Sequence, residues 1–410
     1  MTGTIVIIGA GQAGLQTAEA LRAGGFAGAI QMYGNESYGP YHRPPLSKAW
    51  LAGEMQVEQL QMRAPELLVK KNIELHLDRN VVKIDRSGKH IQLDDGKKVE
   101  YSRLVIATGA TPRSLNIPGG NAKRVHVLRS RADAQAIAEN LATCIKDKKR
   151  VAVVGGGFIG LEVAATARKK GLEVVVLEAA PRLLGRVLSP ALSAWYADLH
   201  RTKGTEVLLG AQIREFRVSD TGEVDAIELS DRRIPVGLVV VGIGVSANDS
   251  LARDAGLECD NGIVVDSSSR TNDPFVVAAG DCTVRRAESG QLIRLESVQN
   301  ATEQGKSAAA ALLGQPRPFI ATPWFWSDQY DKKLQMAGLS AGANIWGIRG
   351  DMNGDSFSVY HFNAGNLLAV DSVNAAKDHL TARKLLDAGV SPSIEQVMDQ
   401  NFNLADLLTK

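Results

Sequence analysis

Residues 150–162 read Arg-Val-Ala-Val-Val-Gly-Gly-Gly-Phe-Ile-Gly-Leu-Glu: an apolar β-branched run, a glycine cluster, then a helix start. Gly155, Gly157 and Gly160 form G-x-G-x-x-G. In such a motif the first glycine permits the tight turn and the second lets a pyrophosphate approach the backbone. The third lets the helix pack closely on the strand, and the helix N-terminus turns free N–H groups to the phosphates. One such motif is weak evidence. The chain, however, opens with another, Ile5-Val-Ile-Ile-Gly9-Ala-Gly11-Gln-Ala-Gly14. Two fingerprints imply two dinucleotides on one chain, and the simplest chemistry needing both is electron transfer from a nicotinamide to a flavin.

Composition sets the outer limits. A length of 410 residues allows two or three domains, and 44% apolar with 22% charged residues is ordinary for a globular protein. With 47 basic and 45 acidic residues there is no global field for nucleic acid. The longest apolar run, around Val236 to Val245, is too short to span a bilayer. Cys144, Cys259 and Cys282 are scattered and the seven histidines lack metal-ligand spacing, so no metal site is expected. Few cysteines, and only Met1-Thr2-Gly3-Thr4 ahead of the first strand, point to a cytoplasmic location without a leader.

Along the chain, Ile5–Ile8 and Ile30–Tyr33 read as buried parallel strands flanking a helix over Gln12–Gly24. Glu36 follows, about 20 residues after the fingerprint, where an acid binds an adenosine ribose. A solvated loop glutamate is the plainer alternative. The next stretch, Tyr41-His-Arg43-Pro-Pro-Leu-Ser-Lys48, is stiffened by prolines that should keep Arg43 extended. Its cations make a plausible pyrophosphate clamp, and a solvated cationic loop fits the residues equally well.

Residues 73–101 read as short strands and turns, with Asp94-Asp95-Gly96 as a hairpin signal. Leu104-Val-Ile-Ala107-Thr108-Gly109 is another buried strand, and a helix runs from Arg131 to about Lys146. After the second fingerprint, Glu178 ends the strand Glu173–Leu177. A carboxylate there bonds both ribose hydroxyls and repels a 2′-phosphate, which favours NADH over NADPH. Arg182 and Arg186 nearby weaken that preference slightly. Val236–Gly244 is the last strand of this domain with its glycine exit, and Thr271–Asp281 is a buried strand ending in Gly-Asp. Arg294–Gly305 enters an alanine-rich helix that ends at Gly314. From Thr322 the composition changes to an aromatic cluster, Pro323-Trp-Phe-Trp326-Ser-Asp-Gln-Tyr330. Three strand-like runs follow (332–339, 344–349, 357–362), then a helix over Ala376–Asp387.

The Tyr41–Lys48 segment, both fingerprints, the Ala107-Thr108-Gly109 turn, the Thr271–Asp281 motif and the Glu296-Ser297-Val298 stretch together resemble the FAD-dependent ferredoxin reductases that serve haem monooxygenases and ring-hydroxylating oxygenases. These putidaredoxin-reductase-like proteins sit within the glutathione-reductase-like two-dinucleotide flavoproteins, and the resemblance spans essentially the whole chain. It implies an α/β fold with two Rossmann-like dinucleotide-binding domains plus a C-terminal α+β domain. The boundaries expected are 1–113 with 245–320 for FAD, 114–244 for NADH, and 321–410 for the last domain.

The resemblance also implies roles. FAD would be held by Gly9, Gly11, Gly14, Glu36, Arg43, Lys48, Val82, Ala107, Thr108, Gly109, Arg129, Asp281, Glu296, Ser297, Val298 and Trp326. NADH would be held by Gly155, Gly157, Ile159, Gly160, Glu162, Glu178, Arg186, Gly242, Ile243 and Gly244. Lys48 would lie by flavin N5, with Glu162 orienting it, Phe158 covering the flavin until nicotinamide displaces it, and Trp326 near the flavin at the partner-facing surface. The implied partner is an acidic [2Fe–2S] ferredoxin docking near Arg294, Trp326, Lys332 and Lys333, with Arg285 and Arg286 as weaker candidates. A monomer is expected, with no nucleic acid and no membrane.

Other readings stay open. Rubredoxin, quinone or monodehydroascorbate reductases share the fold. An interaction protein similar to apoptosis-inducing factor is the non-enzyme alternative. A disulfide or peroxide reductase needs a cysteine beside the flavin, and residues 34–50 contain none.

Overall fold

The Val151–Val154 run is buried along its whole length, as expected of a parallel strand covered on both faces. In the computed structural model, which describes residues 3–287 and 290–409, it is the central strand of a five-stranded parallel sheet. Met1 and Thr2, the start of the short segment ahead of the first strand, lie outside the described residues.

The chain divides into two units. The first comprises residues 3–42, 57–111 and 245–321 of those described. Its sheet runs Val276–Ala278, Arg103–Ile106, Thr4–Ile8, Ala29–Tyr33, Ile73–His76, with every neighbouring pair parallel. The helices Gln12–Ala23 and Val298–Leu312 pack on one face, closing a core of Ile5, Ile7, Leu15, Leu21, Ala308 and Leu312. The hairpin expected at Asp94-Asp95-Gly96 joins His90–Leu93 to Lys98–Glu100.

The second unit comprises residues 43–56, 112–244 and 322–409. Its parallel sheet runs Glu206–Leu209, Val174–Glu178, Val151–Val154, Leu238–Val241, Val125–Val127. The C-terminal part is an antiparallel five-stranded sheet in the order Trp324–Gln329, Lys332–Gly338, Asn366–Val373, Phe357–Asn363, Ile345–Gly350. It packs beside the helix Ala376–Asp387. Leu334, Phe357, Val359 and Val373 of this sheet share one core with Val151, Val153, Leu161 and Tyr196, so within this unit the two sheets are bound by common apolar burial.

Two strands exceed the three runs expected from the sequence. Trp324–Gln329 pairs along the whole of Lys332–Gly338, so the aromatic cluster is itself an edge strand. Asn366–Val373 was hidden by Ala369, Asp371 and Ser372, which are poor strand formers. Its partner Phe357–Asn363 reaches it through Ala364-Gly365, both at positive φ, a two-residue hairpin turn.

A second difference concerns Arg43, which is not extended. Its φ and ψ are −80° and −33°, because it caps a 3-10 turn over Pro44–Ser47 and its carbonyl accepts from Leu46 N at 3.0 Å. That hydrogen bond offsets the steric bias against helical geometry before proline.

Candidate active site

The glycines separate what the protein demands of itself from what it leaves to a ligand. Gly9 and Gly155 hold φ of +111° and +107°. A Cβ on Gly9 would overlap the Ala107 carbonyl, and one on Gly155 the Gly242 carbonyl. Gly14 and Gly160 would each strike the carbonyl of the first glycine in their own motif. The middle glycines behave differently. A Cβ on Gly11 meets no atom within 4 Å, and one on Gly157 meets only the Gly242 oxygen at 3.8 Å. Nothing in the protein requires glycine there, which fits a pyrophosphate pressed against the backbone at both motifs.

Capping points the same way. The helices starting after Ser130, Ser189, Ser297 and Ser393 take a serine cap. The two fingerprint helices begin at Gly11 and Gly157 with no side-chain cap and no acid in the first turn. Their N–H groups stay available to an anion.

In the first unit, Glu36 lies three residues past its strand and accepts a hydrogen bond from Tyr41 OH at 2.6 Å. The Thr108 turn is pinned by Asn248, whose backbone oxygen accepts from Thr108 Oγ1 at 2.6 Å and whose side chain donates to Thr108 O at 3.0 Å. Asp281 follows Gly280, whose N–H donates to Gln304 Oε1 at 2.8 Å, and Asn300 also donates to that amide oxygen. Asn248, Asn300 and Gln304 carry these motifs without having been legible in the sequence. Ser297 caps its helix by accepting from Asn300 N, with Val298 the first helical residue. Val82 is exposed on the strand Val81–Asp85. Arg294 is held by Asn261 at 2.9 Å and by Glu296 at 3.0 Å.

In the second unit, both oxygens of Glu178 are engaged: Gly156 N donates to one at 2.6 Å and Ala180 N to the other at 2.7 Å. This fixes the carboxylate at the end of its strand, beside the second fingerprint. Arg182 is occupied by its own loop, donating to Gly185 O at 3.0 Å. Arg186 is exposed, its guanidinium 3.7 Å from where a Gly244 Cβ would stand. Gly242 is tied back to Val154 O at 2.7 Å, with Ile243 and Gly244 following. Arg43 donates to the Arg129 carbonyl at 2.8 Å. Ile159 is exposed, and Phe158 packs on Phe325 with ring centroids 4.8 Å apart.

Glu162 is 2% exposed, in the first fully buried stretch of its helix. Lys48 Nζ lies 2.8 Å from its Oε2, Ser47 Oγ donates to the same oxygen at 2.5 Å, and Ser327 Oγ donates to Oε1 at 2.6 Å. A buried carboxylate with one ammonium and two hydroxyls is fully satisfied. Lys48, Glu162 and Trp326 all line one cavity of about 330 Å³, together with Pro44, Pro45 and Thr166. Ser47 and Ser327 were not singled out from sequence. Ser47 adjoins Lys48 in the quoted motif, but Ser327 lies 165 residues from its partner.

Three docking candidates are less available than their sequence suggested. Lys332 is 9% exposed and bonds Asp355 at 2.5 Å and Asp331 at 2.9 Å, so its charge is compensated. Arg285 donates to the Phe319 carbonyl and lies over the Phe319 ring, and Arg286 pairs with Glu258 at 2.6 Å. Lys333 is exposed. Burial pushes all three thiols up, Cys259 to about 11, so none is a ready thiolate. Among the described residues no cluster of His, Cys, Asp and Glu could hold a metal ion, and no helix is long and apolar enough to cross a membrane.

Known proteins are similar to this chain over nearly its whole length. The chain is 42% identical over 402 residues to rhodocoxin reductase of Rhodococcus erythropolis, covering 98% of this chain and 93% of that one. It is 39% identical over 406 residues to the ferredoxin–NAD(+) reductase component of the anthranilate 1,2-dioxygenase system of Burkholderia cepacia, covering 98% of each. The reductase in the covalent putidaredoxin reductase–putidaredoxin complex superposes with a TM-score of 0.95 at 38% identity, covering 99% of this chain and 98% of that one. Residues 324–408 match the reductase C-terminal family. Residues 3–305 match the pyridine nucleotide-disulphide oxidoreductases, and the chain belongs to that family.

Proposed function

We propose that the chain is an NADH-dependent ferredoxin reductase, passing reducing equivalents through FAD to an acidic [2Fe–2S] ferredoxin that feeds a haem monooxygenase or ring-hydroxylating oxygenase. Residues 1–113 and 245–320 form the FAD-binding part, 114–244 the NADH-binding part, and 321–410 the C-terminal domain. The reading is supported most by one observation: Lys48, Glu162 and Trp326, far apart in sequence, line a single cavity.

Bound FAD would supply the chemistry, accepting a hydride and releasing electrons one at a time. The chain's own residues do the rest. Gly11 and Gly157 admit the two pyrophosphates, and Glu178, with both oxygens fixed, presents the carboxylate that selects a ribose over its 2′-phosphate. Lys48 holds a positive charge for the flavin's reducible edge, and Glu162 keeps that charge in position. Trp326 gives the ferredoxin an aromatic contact, and Lys333, the more enclosed Lys332 and Arg294 are the basic candidates for its docking. The protein acts as a cytoplasmic monomer. The absence of a low-pKa thiol disfavours disulfide reduction despite the family's name.

Purified protein should be yellow, and NADH should reduce cytochrome c rapidly only when a [2Fe–2S] ferredoxin is added. Equal reduction without any ferredoxin, or a colourless protein that FAD cannot reconstitute, would end this reading.

A further inference from the structure

Behind Glu162 a line of side chains leads away from the cavity. Ser327, which donates to Glu162 Oε1, lies 3.2 Å from Gln329 Nε2. Gln329 Oε1 is 2.9 Å from His200 Nε2, and His200 Nδ1 is 3.4 Å from Tyr330 OH. Tyr330 OH lies 3.2 Å from Thr205 Oγ1. Ser327, Gln329 and His200 are completely buried.

The charge at one end sets every direction. An ionised Glu162 only accepts, so Ser327 spends its single proton on it and must accept from its other neighbour. Gln329 therefore turns its amide nitrogen to Ser327 and its oxygen to His200. That oxygen can only accept, so His200 carries its proton on Nε2. Burial depresses the His200 pKa, which leaves the ring neutral and Nδ1 an acceptor for Tyr330. Tyr330 in turn accepts from Thr205. All five donors point the same way, toward Glu162, and aligned hydrogen bonds polarise one another in a low-dielectric interior.

The backbone gives an independent sign. Tyr330 is the first residue of the two-residue turn between Gln329 and Lys332 and sits at φ +58°. A bulky aromatic in the left-handed region is strained and persists only where the surroundings enforce it. Here the strain accompanies a hydroxyl set against both His200 and Thr205.

We infer that Ser327, Gln329, His200 and Tyr330 are positioning residues: a one-way hydrogen-bond chain that fixes the Glu162 carboxylate and thereby keeps the Lys48 charge in place. The catalytic meaning of that charge rests on the proposed function, but the chain itself does not. An amide in the middle makes it a poor proton wire, so its role is electrostatic. The other ionisable groups around this centre are Tyr196, kept protonated by burial and by Asp371, Asp328 and Glu162, and the cavity-lining Glu54, Lys169 and Asp328.

The test is trace acetylation of the FAD-loaded protein at pH 8, read by mass spectrometry as Lys48 labelling relative to exposed Lys333. His200→Leu should raise relative Lys48 labelling about tenfold, as the amine is released from the carboxylate that holds it. His200→Gln, which keeps a donor near the Nε2 position, should return it to within about twofold of wild type. If His200→Leu does not fold or load FAD, Ser327→Ala breaks the same chain next to Glu162, and Gln329→Leu breaks it one bond further out. Equal Lys48 labelling in all folded variants, or a rise in Ser327→Ala alone, would overturn the inference. In addition, ¹⁵N-histidine NMR should show His200 neutral and protonated at Nε2, and the Nδ1–H form would be equally fatal. Neither measurement uses NADH or a ferredoxin, so failure of electron transfer would count only against the functional reading.

Discussion

Lys48 Nζ stands 2.8 Å from Glu162 Oε2, and the glutamate side chain is 1% exposed. A charge buried that deeply depends on its partner, because an uncompensated ion in a low-dielectric site is expensive. Lys48→Met should therefore slow NADH-driven flavin reduction by roughly 10- to 100-fold. It should also lower stability by about 3 kcal/mol, the low end for a buried pair since two hydroxyls still bond Glu162. Stopped-flow absorbance and thermal melts read the two effects. Adding Glu162→Gln should recover part of the stability, a coupling of about 1–3 kcal/mol. Wild-type reduction in Lys48→Met with FAD bound would return the lysine to a surface role.

The glycines permit a cleaner dissection of folding from binding. Gly9→Ala would overlap a backbone oxygen at positive φ and should not fold stably. Gly11→Ala has open space around its Cβ, so the apoprotein should melt near wild type while FAD affinity falls at least about tenfold. Gly157→Ala should do the same for NADH. Fluorescence titration of FAD against apoprotein decides the matter, and unchanged affinity would mean that the open space at Gly11 serves no ligand.

Coenzyme choice should turn on Glu178. Its carboxylate also anchors Gly156 N and Ala180 N, so Glu178→Ala loosens the loop as well as losing the ribose acceptor. KM should rise for both coenzymes, but the NADH-to-NADPH ratio of kcat/KM should fall about tenfold, because only NADPH gains from removing a negative charge near its 2′-phosphate. Steady-state kinetics with each coenzyme checks this. An unchanged ratio would make Glu178 a purely structural anchor.

The parts of this molecule that were readable from sequence are those encoded locally. A Val-rich run beside a glycine cluster specifies strand, turn and helix within about a dozen residues, and both parallel sheets grew from such stretches. The places of Glu178 at its strand end and of Glu36 three residues past its own were readable because their distance from a fingerprint is fixed by the βαβ unit. Lys48 was different, since residue physics alone allowed a solvated loop and only resemblance pointed to chemistry. Ser327 and His200 were out of reach, because their partners lie 165 and 129 residues away. Arg43 misled for a related reason: the local bias before proline was overruled by a hydrogen bond from Leu46.

Acid should destabilise the protein through its buried histidines. Burial, with Arg383 adding to it, holds His379 down to about 4, and burial also depresses His200. Both titrate near 6.5 when unfolded. Their folded pKa values lie below the unfolded ones, so the unfolded chain takes up protons that the folded chain refuses. Their contribution is fully present above about pH 6.5 and is lost as pH falls toward 4. His379→Gln should flatten the decline in urea midpoint between pH 6.5 and 4.5. An identical slope would show that other groups govern acid unfolding.

The exit of electrons should depend on Lys333 far more than on its neighbour. Lys332 and Lys333 are adjacent in sequence, yet Lys332 is enclosed by Asp331 and Asp355 while Lys333 faces solvent. A compensated ammonium contributes little field at a distance, whereas an exposed one steers an acidic partner within a Debye length of about 8–10 Å. Lys333→Glu should therefore raise KM for ferredoxin about three- to tenfold, with kcat and the rate of flavin reduction by NADH nearly unchanged. Lys332→Gln should change KM less than about twofold, because removing it mainly releases two surface aspartates. Ferredoxin turnover in both wild type and Lys332→Gln should fall steeply between 50 and 300 mM salt, roughly in step with loss of steering, and Lys333→Glu should show a shallower slope. Ferredoxin-dependent cytochrome c reduction across a salt series measures all three. Turnover that is indifferent both to salt and to Lys333→Glu would place the docking surface away from this hairpin, and a larger effect at Lys332 would mean that its aspartates open when the partner arrives.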